Sequence, residues 1–190
     1  MVIYIKNMVC ERCIKTVKRI LEEKDIPAGR VSLGEAYLLN SISKEKLKEL
    51  DTELRKEGFQ ILIREKDRLI ESIKIAIREK IALFDIEEGL IISDFVREVT
   101  NKKYQVMASL FLESEKTSIR DYFIRQKIEK AKELLTYEEK STTRIADMLG
   151  YSSVQYFSKQ FKEYTGLSPT EFRKKKEKNR NSLDKVWYNG

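Results

Sequence analysis

The chain has 190 residues, 36% of them charged and 41% hydrophobic, with a mean hydropathy of −0.50; that balance describes a folded chain with one sizeable core or two small ones, not a disordered tail. It contains no histidine, which excludes Ser-His-Asp and Cys-His catalysis, histidine general bases and every His-ligated metal site. The net charge is +7, and residues 116–180 alone hold 16 Lys/Arg against 9 Asp/Glu, the distribution of a polyanion-binding module rather than of a uniformly solvated surface.

The two cysteines, Cys10 and Cys13, cannot build a disulfide framework. The first ten residues lack a basic start followed by an apolar core, and no apolar run is long enough to span a bilayer. A cytoplasmic protein without a membrane partner is expected.

Val2–Lys6 reads as a short strand. Ile14, Val17, Ile20 and Leu21 then recur at helical spacing, which predicts an amphipathic helix from Cys13 to Lys24, broken by Pro27 and Gly29. Arg30–Leu33 and Glu35–Leu39, joined at Gly34, form an expected hairpin. Leu47, Leu50 and Leu54 mark a second helix, with Ser43 as its N-cap and Gly58 just past its end. Phe59–Ile63 is the last strand. Strand, helix, two strands, helix, strand is the βαββαβ order of an α+β, ferredoxin-like domain over residues 1–65.

Residues 66–88 contain a connecting helix, with Leu69, Ile70, Ile73, Ile77 and Ile81 on one stripe and charges opposite. A packing or dimerisation helix has the same pattern. Residues 89–178 read as short helices only. Ile92, Phe95, Val96 and Val99 mark one, Asn101-Lys-Lys is a turn, and Val106, Met107, Leu110 and Phe111 mark the next. A longer helix starts at Ser118, three residues before Asp121, and carries Ile119, Tyr122, Phe123, Ile128, Ala131, Leu134 and Leu135. The short pattern then returns: Ile145, Ala146 and Leu149, a turn at Gly150, and Tyr156, Phe157, Phe161 and Tyr164. Ser168-Pro-Thr-Glu171 opens a final helix with cap, N1 proline and capping-box acid. Residues 101–111 and 150–161 are thus two versions of one unit, an all-α double helix-turn-helix, and 179–190 is a tail.

A helix-turn-helix reads DNA by bracing its first helix on the backbone and laying its second in the major groove. With Phe157 and Phe161 buried, the second unit turns Ser153, Val154, Gln155, Ser158, Lys159 and Lys162 outward. Gln can pair with adenine, Lys with guanine, and Val can meet a thymine methyl. The same face could also be an ordinary solvated one, and Gln155, three residues after Ser152, could close a capping box instead of reading a base.

The run from Ile145 to Arg173 resembles the signature of the AraC family of bacterial transcription regulators, in its "IA…LGY", "YFS..FK" and "TG.SP.EFR" portions. The resemblance extends back to about Leu90. It implies two helix-turn-helix units joined by a long helix, with Val154, Gln155 and Lys159 as base readers in the second unit and Gln105, Ala108 and Ser109 in the first. It also implies double-stranded DNA and RNA polymerase as partners, a monomer or homodimer, and a place at the bacterial nucleoid. Three positions depart from the family pattern: Asn101 and Lys116 stand where glycine is usual, and Lys127 where the linker helix usually has arginine. Asn tolerates left-handed geometry, so the first change is mild. Ala108 and Ser109 offer few base hydrogen bonds, so the first unit is expected to orient more than to specify.

Met8-Val-Cys10-Glu-Arg-Cys13 lies at a strand-to-helix loop. Two thiolates there can hold a soft ion, and the helix N-terminus lowers their pKa. With Gly58-Phe59 before the last strand, residues 1–65 resemble heavy-metal-associated domains of copper chaperones and metal-transport ATPases. That resemblance implies Cys10 and Cys13 as ligands of Cu(I) or another soft ion, with Met8 supporting the loop from inside; Asn7 stands where glycine commonly precedes the Met. Inert or redox-sensing cysteines remain open as an alternative. Thiol–disulfide catalysis is disfavoured because the βαβ setting of a thioredoxin is missing. Residues 173–180 carry six basic side chains in eight, for phosphate contacts or a solvated helix end.

Together these patterns describe a DNA-binding transcription regulator, possessing no group suited to enzymatic catalysis, with an N-terminal domain suited to a soft metal or redox signal. The rival is a metal chaperone whose helical half docks to protein.

Overall fold

The computed structural model describes residues 1–137 and 140–174. It divides into two compact units between Ile75 and Ala76.

In the first unit the elements run β1 (Val2–Lys6), α1 (Glu11–Glu23), β2 (Ala28–Ser32), β3 (Glu35–Leu38), α2 (Lys44–Lys56), β4 (Gln60–Leu62) and the start of α3 (Glu65–Ala82). The four strands form one sheet in the order β2-β3-β1-β4, with every pairing antiparallel. Alternation sends Ile3, Ile5, Ala36 and Ile61 to one face, where they meet Val17, Ile20 and Leu21 of α1 and Leu50 and Leu54 of α2 in a single core. Edge strand β4 is tied to α2 as well, since Asp51 Oδ1 accepts the Ile61 N–H at 2.7 Å.

Local chemistry accounts for the small differences from the expected boundaries. Helix α1 starts at Glu11 rather than Cys13 because Cys10, in an extended conformation, is its N-cap, and the Cys10 carbonyl accepts from the N–H groups of Cys13 and Ile14. Ser43 caps α2 as expected, its hydroxyl accepting from the Lys46 N–H at 3.2 Å. Asn7 takes the left-handed φ of 72° that favours glycine, and its amide donates to the Gly58 carbonyl at 2.9 Å.

The expected apolar stripe of α3 is buried at Ile70, Ile73, Ile77 and Ile81, and Leu69 is partly buried. The buried side is wider than that stripe: Glu71, Lys74 and Arg78, along its flank, are buried too. They are paired polar groups. Glu71 and Lys74 lie 3.5 Å apart, and Arg78 donates to the Tyr122 hydroxyl at 3.1 Å.

The second unit continues from the end of α3 through α4 (Ile92–Thr100), α5 (Tyr104–Glu115), α6 (Ile119–Tyr137), α7 (Thr142–Met148), α8 (Val154–Thr165) and α9 (Pro169–Lys174). The long helix α6 packs against α5 and against α7, α8 and α9. Among the described residues no helix is long and apolar enough to cross a membrane.

Candidate nucleic-acid interface

Helix α8 is held from inside by aromatic rings. Phe157 and Phe161 are fully buried with centroids 5.7 Å apart, Phe161 meets Phe172 of α9 at 5.5 Å, and Tyr151 meets Phe157 at 5.1 Å. Their spacing of four places Gln160 inside as well, where Oε1 accepts from the Tyr151 hydroxyl at 2.8 Å. Ser153 is the N-cap, its hydroxyl accepting from the Tyr156 N–H at 3.1 Å, and Gly166 ends the helix with φ 76°. The capping box proposed for Ser152 and Gln155 is therefore not formed. Gln155 is exposed and makes no side-chain hydrogen bond among the described residues. Lys159 and Lys162 are exposed on the same helix, while Val154 and Ser158 are half-buried.

Helix α5 repeats this frame fifty residues earlier. Met107 and Phe111 take the places of Phe157 and Phe161, and Phe111 stands edge-on to Tyr122 at 5.6 Å, as Phe161 does to Phe172. Lys116 replaces Gly166 as the left-handed cap, at φ 57°, and Asn101 ends α4 at φ 52°. Ser118 caps α6 as Ser168 caps α9: Asp121 N–H donates to Ser118 Oγ at 3.0 Å, and Glu171 N–H to Ser168 Oγ at 3.3 Å. The outward side differs. Gln105 and Ser109 are exposed and Ala108 is half-buried, and the Ser109 hydroxyl donates back to the Gln105 carbonyl. Leu112, 54% exposed, occupies the position of Lys162.

Two residues expected inside lie outside. Val106 is 52% exposed, because the Met107–Phe111 pair sets the buried line of α5 and turns Val106 off it. Tyr156 is 46% exposed for the same reason, with its hydroxyl accepting from Gln160 Nε2 at 3.4 Å. The i, i+4 pairs Met107–Phe111 and Phe157–Phe161 are the signals that place both. Ser141, the N-cap of α7, was not singled out either, although a serine three residues ahead of Arg144 is an ordinary cap signal.

The second unit is anchored to α6 by polar contacts. Tyr164 donates to Asp121 Oδ1 at 3.0 Å, and the Arg125 guanidinium lies over the Tyr164 ring. Burial, and then that hydrogen bond, raises the Tyr164 hydroxyl to about 12; burial also raises Tyr151. Lys127 is 6% exposed beside Tyr151, and burial lowers it to about 8. Arg173 donates to the Lys140 carbonyl, fixing the end of α9. Of the basic run 173–180, residues 175–180 lie outside the described residues.

In the N-terminal unit Cys10 Sγ and Cys13 Sγ are 3.5 Å apart and half-buried at the start of α1, and Cys13 Sγ accepts the Val9 N–H. Burial pushes the Cys10 thiol up, but the Cys13 N–H, the Cys13 thiol and Arg12 outweigh it, leaving Cys10 below its ordinary value. Met8 is fully buried behind the loop. Among the described residues no group of three or more His, Cys, Asp or Glu side chains is placed to hold a metal ion.

Residues 99–175 match the helix-turn-helix domain family. The chain is 30% identical over 91 residues to the Msm operon regulatory protein of Streptococcus mutans, an alignment covering 48% of this chain and 32% of that protein. It is 35% identical over 74 residues to the raffinose operon transcriptional regulatory protein RafR of Pediococcus pentosaceus, covering 39% and 27%. The chain thus spans about a third or less of the length of these relatives. The C-terminal domain of AraT, a response regulator from Geobacillus stearothermophilus, shares the fold at a TM-score of 0.52 and 23% identity, over 60% of this chain and 90% of that one. Residues 99–175 are therefore a helix-turn-helix domain, and the C-terminal half shares its fold with the AraT domain.

Proposed function

We propose that the chain is a bacterial transcription regulator that binds double-stranded DNA through its C-terminal half, in the cytoplasm, and acts on RNA polymerase. The observation that carries this reading is the outward face of α8, where Gln155 and Lys159 stand exposed on a helix whose other side is locked by four aromatic rings. A reading helix needs that division, rigid behind and hydrogen-bonding in front. The surplus of basic residues between 116 and 180 supports the phosphate contacts. In this reading Val154, Gln155, Ser158, Lys159 and Lys162 meet the DNA from the second unit and Gln105, Ala108 and Ser109 from the first. The test is binding of the full chain to duplex DNA across a salt series. A slope corresponding to roughly 5–8 phosphate contacts is expected, and a flat response overturns the reading.

The N-terminal unit is read as a ferredoxin-like domain of the heavy-metal-associated kind, supported by its βαββαβ order and its β2-β3-β1-β4 sheet. The two thiols at 3.5 Å, one of them lowered, fit a soft ion that accepts two thiolates. Cu(I) is favoured, because a four-coordinate zinc site would need ligands from outside the chain. Cys10 and Cys13 would hold the ion, and Met8 would keep the loop seated. Reduced protein titrated with Cu(I) under anaerobic conditions should take up about one ion per chain, and Cys10→Ser with Cys13→Ser should take up none. DNA affinity with and without Cu(I) then decides whether the ion is the signal.

A further inference from the structure

Beside the second helix-turn-helix, a cleft of about 380 Å³ opens between residues 86–90, the first half of α6, the turn at 150–152 and α8. The 86–90 segment is seated tightly there: a side chain on Gly150 would come within 2.6 Å of Ile86. Phe123, Tyr151 and Tyr156 supply aromatic wall, and Lys127 lines the cleft from α6. Its Nζ lies 3.5 Å from the centroid of Tyr151 and 5.5 Å from that of Phe123.

Those ring faces are the partners of this ammonium group. Lys127 has no hydrogen bond and no ion pair among the described residues. Glu87 and Glu88 are at the rim but exposed, and neither pairs with it. Arg120, also exposed, adds a second cation at the mouth. Buried charges in proteins are normally paired, because ring faces return only part of the hydration an ammonium loses. At neutral pH most of the Lys127 population still carries its proton, since its value is lowered only to about 8. The cleft therefore holds a cation in need of a counter-charge, in a volume at the lower end of small-molecule sites.

We propose that this cleft binds a small aromatic monocarboxylate, whose anion pairs with Lys127 and whose ring lies against Tyr151, Tyr156 and Phe123. A single negative charge fits better than a phosphate dianion, because Glu87 and Glu88 repel a second charge at the rim. The ligand also has a route to the reading helix. Tyr151 is hydrogen-bonded to Gln160 of α8, and Gln160 in turn to Tyr156. A carboxylate that draws Lys127 off the Tyr151 ring alters the packing under α8, and the effect of ligand on DNA must equal that of DNA on ligand. This second step rests on the DNA-binding reading; the ligand site itself does not.

The experiment uses the full chain with benzoate, its neutral isostere benzamide and inorganic phosphate as probes. Binding is followed by calorimetry, and the Lys127 amine by NMR of lysine-labelled protein across pH. Benzoate should bind at least tenfold more tightly than benzamide or phosphate and should move the Lys127 titration upward from about 8. Lys127→Met should lose that preference while melting no lower than the native chain. Equal binding of benzoate and benzamide, an unmoved lysine titration, or undiminished benzoate binding by Lys127→Met overturns the site. A chain that binds benzoate as described but no DNA refutes the DNA reading and leaves the cleft standing.

Discussion

The two helix-turn-helix units are the same frame with different faces. Inside, Met107 and Phe111 match Phe157 and Phe161, Tyr122 matches Phe172, and Ser118–Asp121 matches Ser168–Glu171. Outside, Ser109 and Leu112 stand where the second unit has Lys159 and Lys162. Packing dictates the buried set, since a close-packed interior tolerates little change of volume. The outward set is released from that constraint and can differ in chemistry. The proposed division of labour, orientation from the first unit and specificity from the second, rests on this contrast.

The largest effects test the shared frame. Phe111→Ala and Phe161→Ala should each destabilise the C-terminal unit by about 3–5 kcal/mol in urea unfolding, since each removes a fully buried ring. A loss under about 1 kcal/mol at one of them would show that the units are not equivalent inside. Gly150→Ala should cost about 2–4 kcal/mol, combining left-handed strain at φ 64° with the 2.6 Å approach to Ile86. Asn101→Gly, at the matching turn, should be neutral or slightly stabilising.

The next test is pH, which should distinguish the second unit. Lys127, lowered to about 8 in the folded chain, ordinarily titrates near 10.5. Between those values the unfolded chain binds more protons, so stability should rise with pH, by up to about 3 kcal/mol. Above pH 10 the slope should reverse. Tyr151 and Tyr164 are raised, so their contribution is complete below the ordinary tyrosine value of 10 and is lost as pH climbs past it. Denaturant midpoints from pH 7 to 11 measure both arms, and Lys127→Met should erase the rise while leaving the fall.

Smaller effects address the faces. Gln155→Ala or Lys159→Ala should cost about 1–3 kcal/mol on the preferred duplex and less on random DNA. Ser109→Ala should change either by less than about 0.5 kcal/mol. Equal losses from α5 and α8 would refute the division of labour. The caps should give effects between these two. Lys116→Gly should stabilise by about 1 kcal/mol, because it relieves a side chain at φ 57°, whereas Gly166→Ala should lose a similar amount.

Much of this is legible in the amino-acid sequence. Apolar spacing located each helix and strand to within a few residues, because burial of one face is a property of local periodicity. The βαββαβ order, the Ser168–Glu171 box and the fifty-residue repeat are all local signals of that kind. The exposed Gln155 and Lys159 followed from burying Phe157 and Phe161.

What the amino-acid order alone determined is therefore the element sequence, most of each buried stripe, the Ser43 and Ser168 caps and the exposure of Gln155 and Lys159 on α8. Tertiary structure decided what depends on residues distant in the chain. It buried Glu71, Lys74 and Arg78 along the flank of the α3 stripe, where the side chains are charged. It made Ser153 rather than Ser152 the cap of α8, leaving Gln155 free. It set Lys127 against the ring of Tyr151, twenty-four residues away. Periodicity reports which side of an element is apolar; only packing determines what that side, and the side opposite, will meet.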